Sequence, residues 1–524
     1  MAHRRHYRVF GAALTAALLL TACTGQDDEP GSDRSNTAAG QRGVDRVLEP
    51  LPAEIPDELR PYYDQRLAWE DCGPTGFQCA TLRVPLDYAA PQAADDLELA
   101  VIRSRATGSG DAEGSLLANP GGPGASAVEF VRAFAGVGFP AEIRERYDIV
   151  GVDPRGVGES EPIECLSDAE MDEHTQVDIT PDSAAETATL QQANDAFARG
   201  CAEDAGELLG HVSTVDAARD MDVARAALGD EKLTYVGYSY GTLLGATYAG
   251  LFPSRAGRLV LDGAMDPSLP AELLNRDQTA GFNTAFTAFA EDCAQRSDCP
   301  LGKDSPQDAG QRLSTFFDQV DAEPLPTGEE RELTESLATT GVISAMYTQR
   351  YWPRLREALT DALDGDGAGL LSLADDYYER LPDGSYGNLM FANAAVNCVD
   401  QPPAFSGPAE AEDAVPAFRE ASPVFGRNFA YATLICTDWP ADPTGQAGRV
   451  EAQGADPILV VGTTRDPATP YVWAEGLTAQ LDSATLLTYD GDGHTAYARG
   501  ITCVDSAVNA YLLSGTVPPD GKRC

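Results

Sequence analysis

Leu233-Thr234-Tyr235-Val236-Gly237-Tyr238-Ser239-Tyr240-Gly241-Thr242-Leu243-Leu244 passes from a short apolar run into a helix-like one through a serine with a glycine two residues to either side. The run 233–236 reads as a buried strand and 242–251 as a helix. A serine at so tight a strand-to-helix turn is held in strained backbone geometry, and the flanking glycines remove the side chains that would collide there. The hydroxyl is thereby raised above the strand ends, while the helix N-terminus faces any negative charge that develops beside it. This pattern predicts a nucleophile at Ser239 and a parallel sheet of which residues 233–237 form one strand.

Working outward, 79–85, 97–105, 115–118 and 147–152 read as strands on one side, and 258–262, 457–462 and 484–489 on the other. Amphipathic helices are predicted over 125–135 and 215–228, the second opened by Ser213 or Thr214 with Asp216 in its first turn. Strands alternating with helices predict an α/β fold, a mostly parallel sheet covered on both faces. Between Asp262 and Pro457 about 190 residues show helical periodicity and almost no strand signal. A bare loop of that length is implausible, so the stretch is expected to be a mainly helical cap inserted between two late strands.

A serine hydroxyl needs a base before it attacks, usually histidine. Beyond the N-terminal 22 residues the chain has three histidines. His174 lies among acidic neighbours and His211 precedes a helix cap, so both read as surface or packing positions. His494, in Gly491-Asp492-Gly493-His494-Thr495, follows a late strand and is the expected base. The third member must accept a hydrogen bond from the imidazole. Asp466 ends the apolar run 458–461 at the strand's C-terminal side, where open α/β sheets bind ligands, and completes the chain order Ser, Asp, His. Asp262 and Asp153, each ending a strand of its own, are rivals for that position. Thr469-Pro470 reads as a helix N-cap with proline at the first position, fixing the loop that presents Asp466. Asn119-Pro120-Gly121-Gly122-Pro123-Gly124 joins a strand to a helix and suits an oxyanion hole, whose expected donors are the N–H groups of Gly122 and Tyr240.

The chain of 524 residues carries 37 basic against 82 acidic side chains, a formal charge of −45, which repels phosphate backbones and excludes a nucleic-acid partner. Arg4, Arg5 and Arg8 precede an apolar run, 9–20, of signal-peptide length. Leu20-Thr21-Ala22-Cys23 resembles the lipobox of bacterial lipoproteins, which makes Cys23 the expected lipidation site and membrane anchor. The next residues, to about 60, are rich in Gly, Ser, Pro and acidic side chains and read as a tether. Ten further cysteines suit an oxidising compartment. The pairs Cys72/Cys79 and Cys293/Cys299 make natural small loops, and Cys503/Cys524 would pin the C-terminus; the remaining pairing is open. Three histidines and no CxxC pair argue against zinc, and the reading calls for no metal or cofactor.

Taken together, 119–124, Asp153-Pro154-Arg155-Gly156-Val157-Gly158-Glu159-Ser160, 237–241, Asp466 and Gly493-His494 resemble the α/β-hydrolase serine exopeptidases, in particular the secreted tripeptidyl aminopeptidases related to proline iminopeptidases. The resemblance spans about 72–524. It implies an α/β-hydrolase fold and cleavage of short peptides from a free N-terminus beneath a cap. Pro120 stands where the proline iminopeptidase pattern has histidine, which argues against strict proline specificity. The expected partition is a signal peptide over 1–22, a tether over 23–60, hydrolase core over 61–266 and 456–524, and cap over 267–455. Asp153 and Arg155 are expected to stabilise a turn as a pair. Asp400 and Asp438, beside Cys398 and Cys436, are candidates for binding a substrate ammonium group. The readings set against a peptidase are an esterase or lipase-like hydrolase with the same triad, and a non-catalytic peptide-binding lipoprotein.

Overall fold

The computed structural model describes residues 43–73, 75–91 and 96–524. Nine strands form one sheet: β1 (Glu70–Asp71), β2 (Phe77–Pro85), β3 (Asp96–Ser104), β4 (Ser115–Asn119), β5 (Asp148–Val152), β6 (Leu233–Tyr238), β7 (Ala256–Asp262), β8 (Ile458–Arg465) and β9 (Ala484–Asp492). Their order is β1-β2-β3-β5-β4-β6-β7-β8-β9. The first three strands pair antiparallel and β3 runs antiparallel to β5; every later pairing is parallel.

Alternation of side chains explains why the central strands are apolar throughout. Leu116, Val236, Val260 and Leu459 pack on one face with Val128, Val131, Val504 and Val508 of the helices Ala127–Phe134 and Thr502–Ser514. Their neighbours Leu117, Tyr235, Leu261 and Val460 pack on the other, against the helices Thr214–Leu228, Tyr240–Leu251 and Tyr471–Gln480.

Between β7 and β8 the chain leaves the sheet for a helical region running from Ala271–Ala294 to Gly426–Ala432, with its own aromatic core around Phe282, Phe286, Phe289, Phe418 and Phe425. A second excursion, between β5 and β6, escaped the sequence reading. It contains the helix Ala184–Ala205, is closed by the disulfide Cys165–Cys201, and lends Leu190 to the cap's core. That helix buries only four side chains, so its apolar period is faint; its legible sign is the capping box of Ser183 and Glu186.

The expected tether needs correction over its second half. Residues 43–60 lie against the core: Val44 N–H donates to Ser268 O, Leu48 N–H to Arg449 O and Leu51 N–H to Leu251 O, with Leu48 and Leu51 packed on apolar neighbours. Isolated leucines in a polar stretch are enough to dock it when backbone partners are waiting. The leader and Cys23 lie outside the described residues. Five disulfides are present, Cys72–Cys79, Cys165–Cys201, Cys293–Cys299, Cys398–Cys436 and Cys503–Cys524, which include the three pairs proposed from spacing.

Candidate active site

Ser239 joins β6 to the helix Tyr240–Leu251 with φ +55 and ψ −124, a conformation that costs a non-glycine residue about 1–3 kcal/mol. The glycines around it are required by contact: a Cβ on Gly237 would stand 2.2 Å from Gly241 O. The loop 119–124 presses on the same turn, since a Cβ on Gly121 would lie 2.9 Å from Ser239 Cβ and 3.1 Å from Tyr240 N. Gly122 is exposed, and Tyr240 occupies the first helical position, where its N–H has no acceptor within the helix. The two expected oxyanion donors therefore belong to segments in contact.

Asp466 is buried at the end of β8 and faces His494, with Nδ1 at 2.9 Å from Oδ1 and 3.0 Å from Oδ2. Its remaining capacity is taken by backbone donors: Ala468 N–H at 3.0 Å and Thr469 N–H at 2.9 Å on Oδ1, and Thr495 N–H at 3.1 Å on Oδ2. A carboxylate so surrounded assigns the imidazole proton to Nδ1 and leaves Nε2 as the free base. Ser239 Oγ makes no hydrogen bond to protein among the described residues. Such bonds are often long before substrate binds.

What relates the serine to the histidine is Asp262, at the end of β7. Its carbonyl accepts Ser239 N–H at 2.9 Å, and its carboxylate accepts Ala496 N–H at 2.9 Å and Tyr497 N–H at 2.8 Å, two and three residues past His494. A Cβ on the next residue, Gly263, would lie 3.2 Å from His494 Cε1. Burial pushes the Asp262 carboxyl up to about 6, against the pull of those two N–H donors. The sequence offered Asp262 only as a rival to Asp466; the structure makes it the tie between the turn at Ser239 and the loop of His494. The cap also holds that loop. Tyr347 O accepts His494 N–H at 2.9 Å, and the two rings meet edge to face at 5.5 Å. No sequence signal marks a tyrosine so distant along the chain.

Other expectations change. Asp153 and Arg155 do not pair. Asp153 accepts Ser126 Oγ–H, Val128 N–H and Glu159 N–H at the start of the helix Ala127–Phe134, while buried Arg155 forms a two-pronged ion pair with Asp220 at 2.7 Å. Pro470, not Thr469, is the cap residue of the helix Tyr471–Gln480, and Thr469 serves the site through its N–H to Asp466. Asp400 is engaged elsewhere: it takes the N–H of Thr214 at 2.7 Å and its hydroxyl, capping the N-terminus of the helix Thr214–Leu228, where an anion is favoured. Desolvation raises its pKa to about 6. Asp438 is exposed beside Gln191 and Asn194. Neither lines the cleft of about 620 Å³ that opens beside His494 between Pro120, Tyr238 and the cap segment carrying Tyr347. His174 packs on Phe197 and burial lowers its pKa to about 4, a structural role; the His211 carbonyl accepts from Arg155.

Residues 422–524 match the family model described as TAP-like protein. The chain is 41% identical over 489 residues to the serine protease Hip1 of Mycobacterium tuberculosis, covering 88% of this chain and 92% of that one. It is 42% identical over 453 residues to carboxylesterase B of the same species, covering 85% and 86%. Tripeptidyl aminopeptidase of Streptomyces coelicolor is 32% identical over 463 residues, covering 85% and 84%. On this likeness, and on a sheet and helices arranged as an α/β-hydrolase, the chain belongs to the TAP-like family of serine peptidases.

Proposed function

We propose that this protein is an exported, lipid-anchored exopeptidase that removes short peptides, tripeptides foremost, from free N-termini. Ser239 Oγ attacks the scissile carbonyl carbon and gives its proton to His494 Nε2. Asp466 holds the imidazole and stabilises its cationic form, and the N–H groups of Gly122 and Tyr240 receive the oxyanion. His494 then protonates the leaving amine as the C–N bond breaks. Water, deprotonated by the same histidine, releases the acyl group and restores the serine. The observation that carries this reading is the 2.9 Å pair of His494 and Asp466 at the sheet rim that also holds the strained turn at Ser239.

Export is supported by the leader pattern over 1–22 and by five disulfides, which persist in oxidising compartments. Among the described residues no helix is long and apolar enough to cross a membrane, and attachment to the outer face of the membrane is assigned to a lipid on Cys23. The likeness to carboxylesterase B favours a second reading, ester hydrolysis by the same residues. Cleavage of unblocked and N-acetylated di-, tri- and tetrapeptide amides beside acyl esters separates the two. The exopeptidase reading expects activity on unblocked tripeptides that vanishes on acetylation. Equal cleavage of blocked and unblocked peptides, or turnover of esters alone, contradicts it.

A further inference from the structure

The cleft beside His494 has an unusual wall for so acidic a protein. Phe130, Phe134, Tyr238 and Tyr351 give it an aromatic lining, and Phe134 is 50% exposed. Two exposed arginines line it, Arg350 from the cap and Arg499, which donates to Thr495 O at 3.2 Å, from the loop after His494. Among the described residues neither has a carboxylate within 4.0 Å, although the chain has more than two acidic side chains for every basic one. The one carboxylate lining the cleft, Asp492, is already held by Arg465 Nε at 2.6 Å and by Gln349 Nε2 at 2.8 Å. Burial by the atoms packed around it disfavours the charged form of Arg499; the more distant carboxylates of Asp262 and Asp466 pull the other way, and the like charge of Arg350 adds to the burial. An anion between the two would relieve that repulsion.

The position of the cleft decides which part of a substrate it meets. His494 must deliver its proton to the departing nitrogen, so the leaving chain starts within hydrogen-bond reach of the imidazole. A cleft walled by His494 itself, then Thr495, Ala498 and Arg499, lies along that path. We infer that this cleft is the leaving-group subsite, and that it selects peptides whose released portion carries a carboxylate, bound by Arg350 and Arg499 beyond an apolar contact with the aromatic wall. The inference rests on the exopeptidase reading above and names its substrate class. Both an α-carboxylate at the C-terminus and an Asp or Glu side chain supply this chemistry.

The test uses unblocked hexapeptides of one sequence in three forms: the free acid, the C-terminal amide, and the amide with an aspartate in the released half. With the full-length enzyme, kcat/KM for at least one carboxylate form is expected to exceed that of the plain amide by about tenfold, the worth of one charge-assisted hydrogen-bonded contact. Preference for the acid alone identifies the terminal carboxylate; preference for both identifies any carboxylate. In Arg350→Gln/Arg499→Gln the ratio is expected to fall towards one, and Arg350→Lys/Arg499→Lys to restore part of it. Equal kcat/KM for all three peptides with the wild-type enzyme, or a preference that survives the glutamine pair, overturns the inference while leaving the exopeptidase reading intact. Failure to cut any unblocked peptide overturns both.

Discussion

At the ends of β7 and β8 the carboxylates are held by backbone. Asp466 takes three N–H groups and Asp262 two, all from loops that must stay where the sheet puts them. In the cap the order comes from side chains packed on side chains: the Phe286 and Phe425 rings meet edge to face at 5.9 Å, those of Phe282 and Phe429 lie tilted by 30° at 5.2 Å, and Arg331 pairs with Asp375 at 2.7 Å. A backbone-held carboxylate has one available geometry and tolerates little change in its neighbours. A packed aromatic core can be recomposed while its outer surface changes. The difference teaches a division of labour: backbone at the rim, together with Tyr347 O from the cap, sets the place of His494, and under the function proposed above the rest of the cap, Arg350 included, decides what reaches it.

Four substitutions probe that division. Ser239→Ala, at the rim, is expected to lower kcat about 10⁴-fold or more while the melting temperature stays close to that of the parent, because the hydroxyl makes no hydrogen bond to protein among the described residues and alanine keeps the same backbone turn. Steady-state rates on an unblocked tripeptide amide and a thermal melt check both halves. Asp466→Asn keeps the volume but offers His494 an amide where it needs an anion; kcat is expected to fall about 10³–10⁴-fold. A loss under tenfold would place the orienting anion elsewhere.

Phe418→Ala, in the cap's core, should cost about 3–5 kcal/mol of stability by opening a cavity. Below the new melting point it should raise KM for peptides while leaving the reaction of Ser239 with a small phosphonate within about twofold. A large drop in that small-probe rate would mean that the packed core of the cap, and not only the contact of Tyr347 O with His494 N–H, builds the relay. The smallest effect concerns pH. Asp262 has its pKa raised to about 6 in the folded protein, above the ordinary value near 4, so the native state binds the extra proton and this group's contribution to stability is present below pH 4 and lost as pH rises through 6. Asp262→Asn should remove that component, at most about 3 kcal/mol. Denaturant unfolding at pH 4 and pH 7 on both proteins measures it, and parallel slopes for the two would refute it.

The rim was legible because its residues obey local rules. Buried parallel strands leave apolar runs, and a tight strand-to-helix turn needs glycines at fixed offsets, so β4 to β9, the turn at Ser239 and the meeting of Asp466 with His494 follow from spacing and chain order. The strand ends run past the apolar signal: β8 continues through buried Thr463 and half-buried Thr464 to Arg465, and β9 to Asp492, polar residues whose extension ends in the Arg465–Asp492 ion pair. What could not be read depends on distant partners. Asp400 and Asp438 looked alike beside their cysteines, yet one meets the helix end at Thr214 and the other faces solvent. The disulfides Cys165–Cys201 and Cys398–Cys436 close loops of 36 and 38 residues across helices, beyond any proximity argument, unlike the pairs 7 and 6 apart. Asp153 and Arg155 were neighbours in sequence whose partners lay elsewhere, Ser126 and Asp220.

The relay of Ser239, His494 and Asp466 is tested most directly by an unblocked tripeptidyl phosphonate, followed by mass spectrometry of the labelled protein. The account predicts one adduct, on the peptide containing Ser239, formed rapidly by the wild type and at least about 10³-fold more slowly by His494→Ala. Labelling at another residue, or equal rates with and without the histidine, would contradict it.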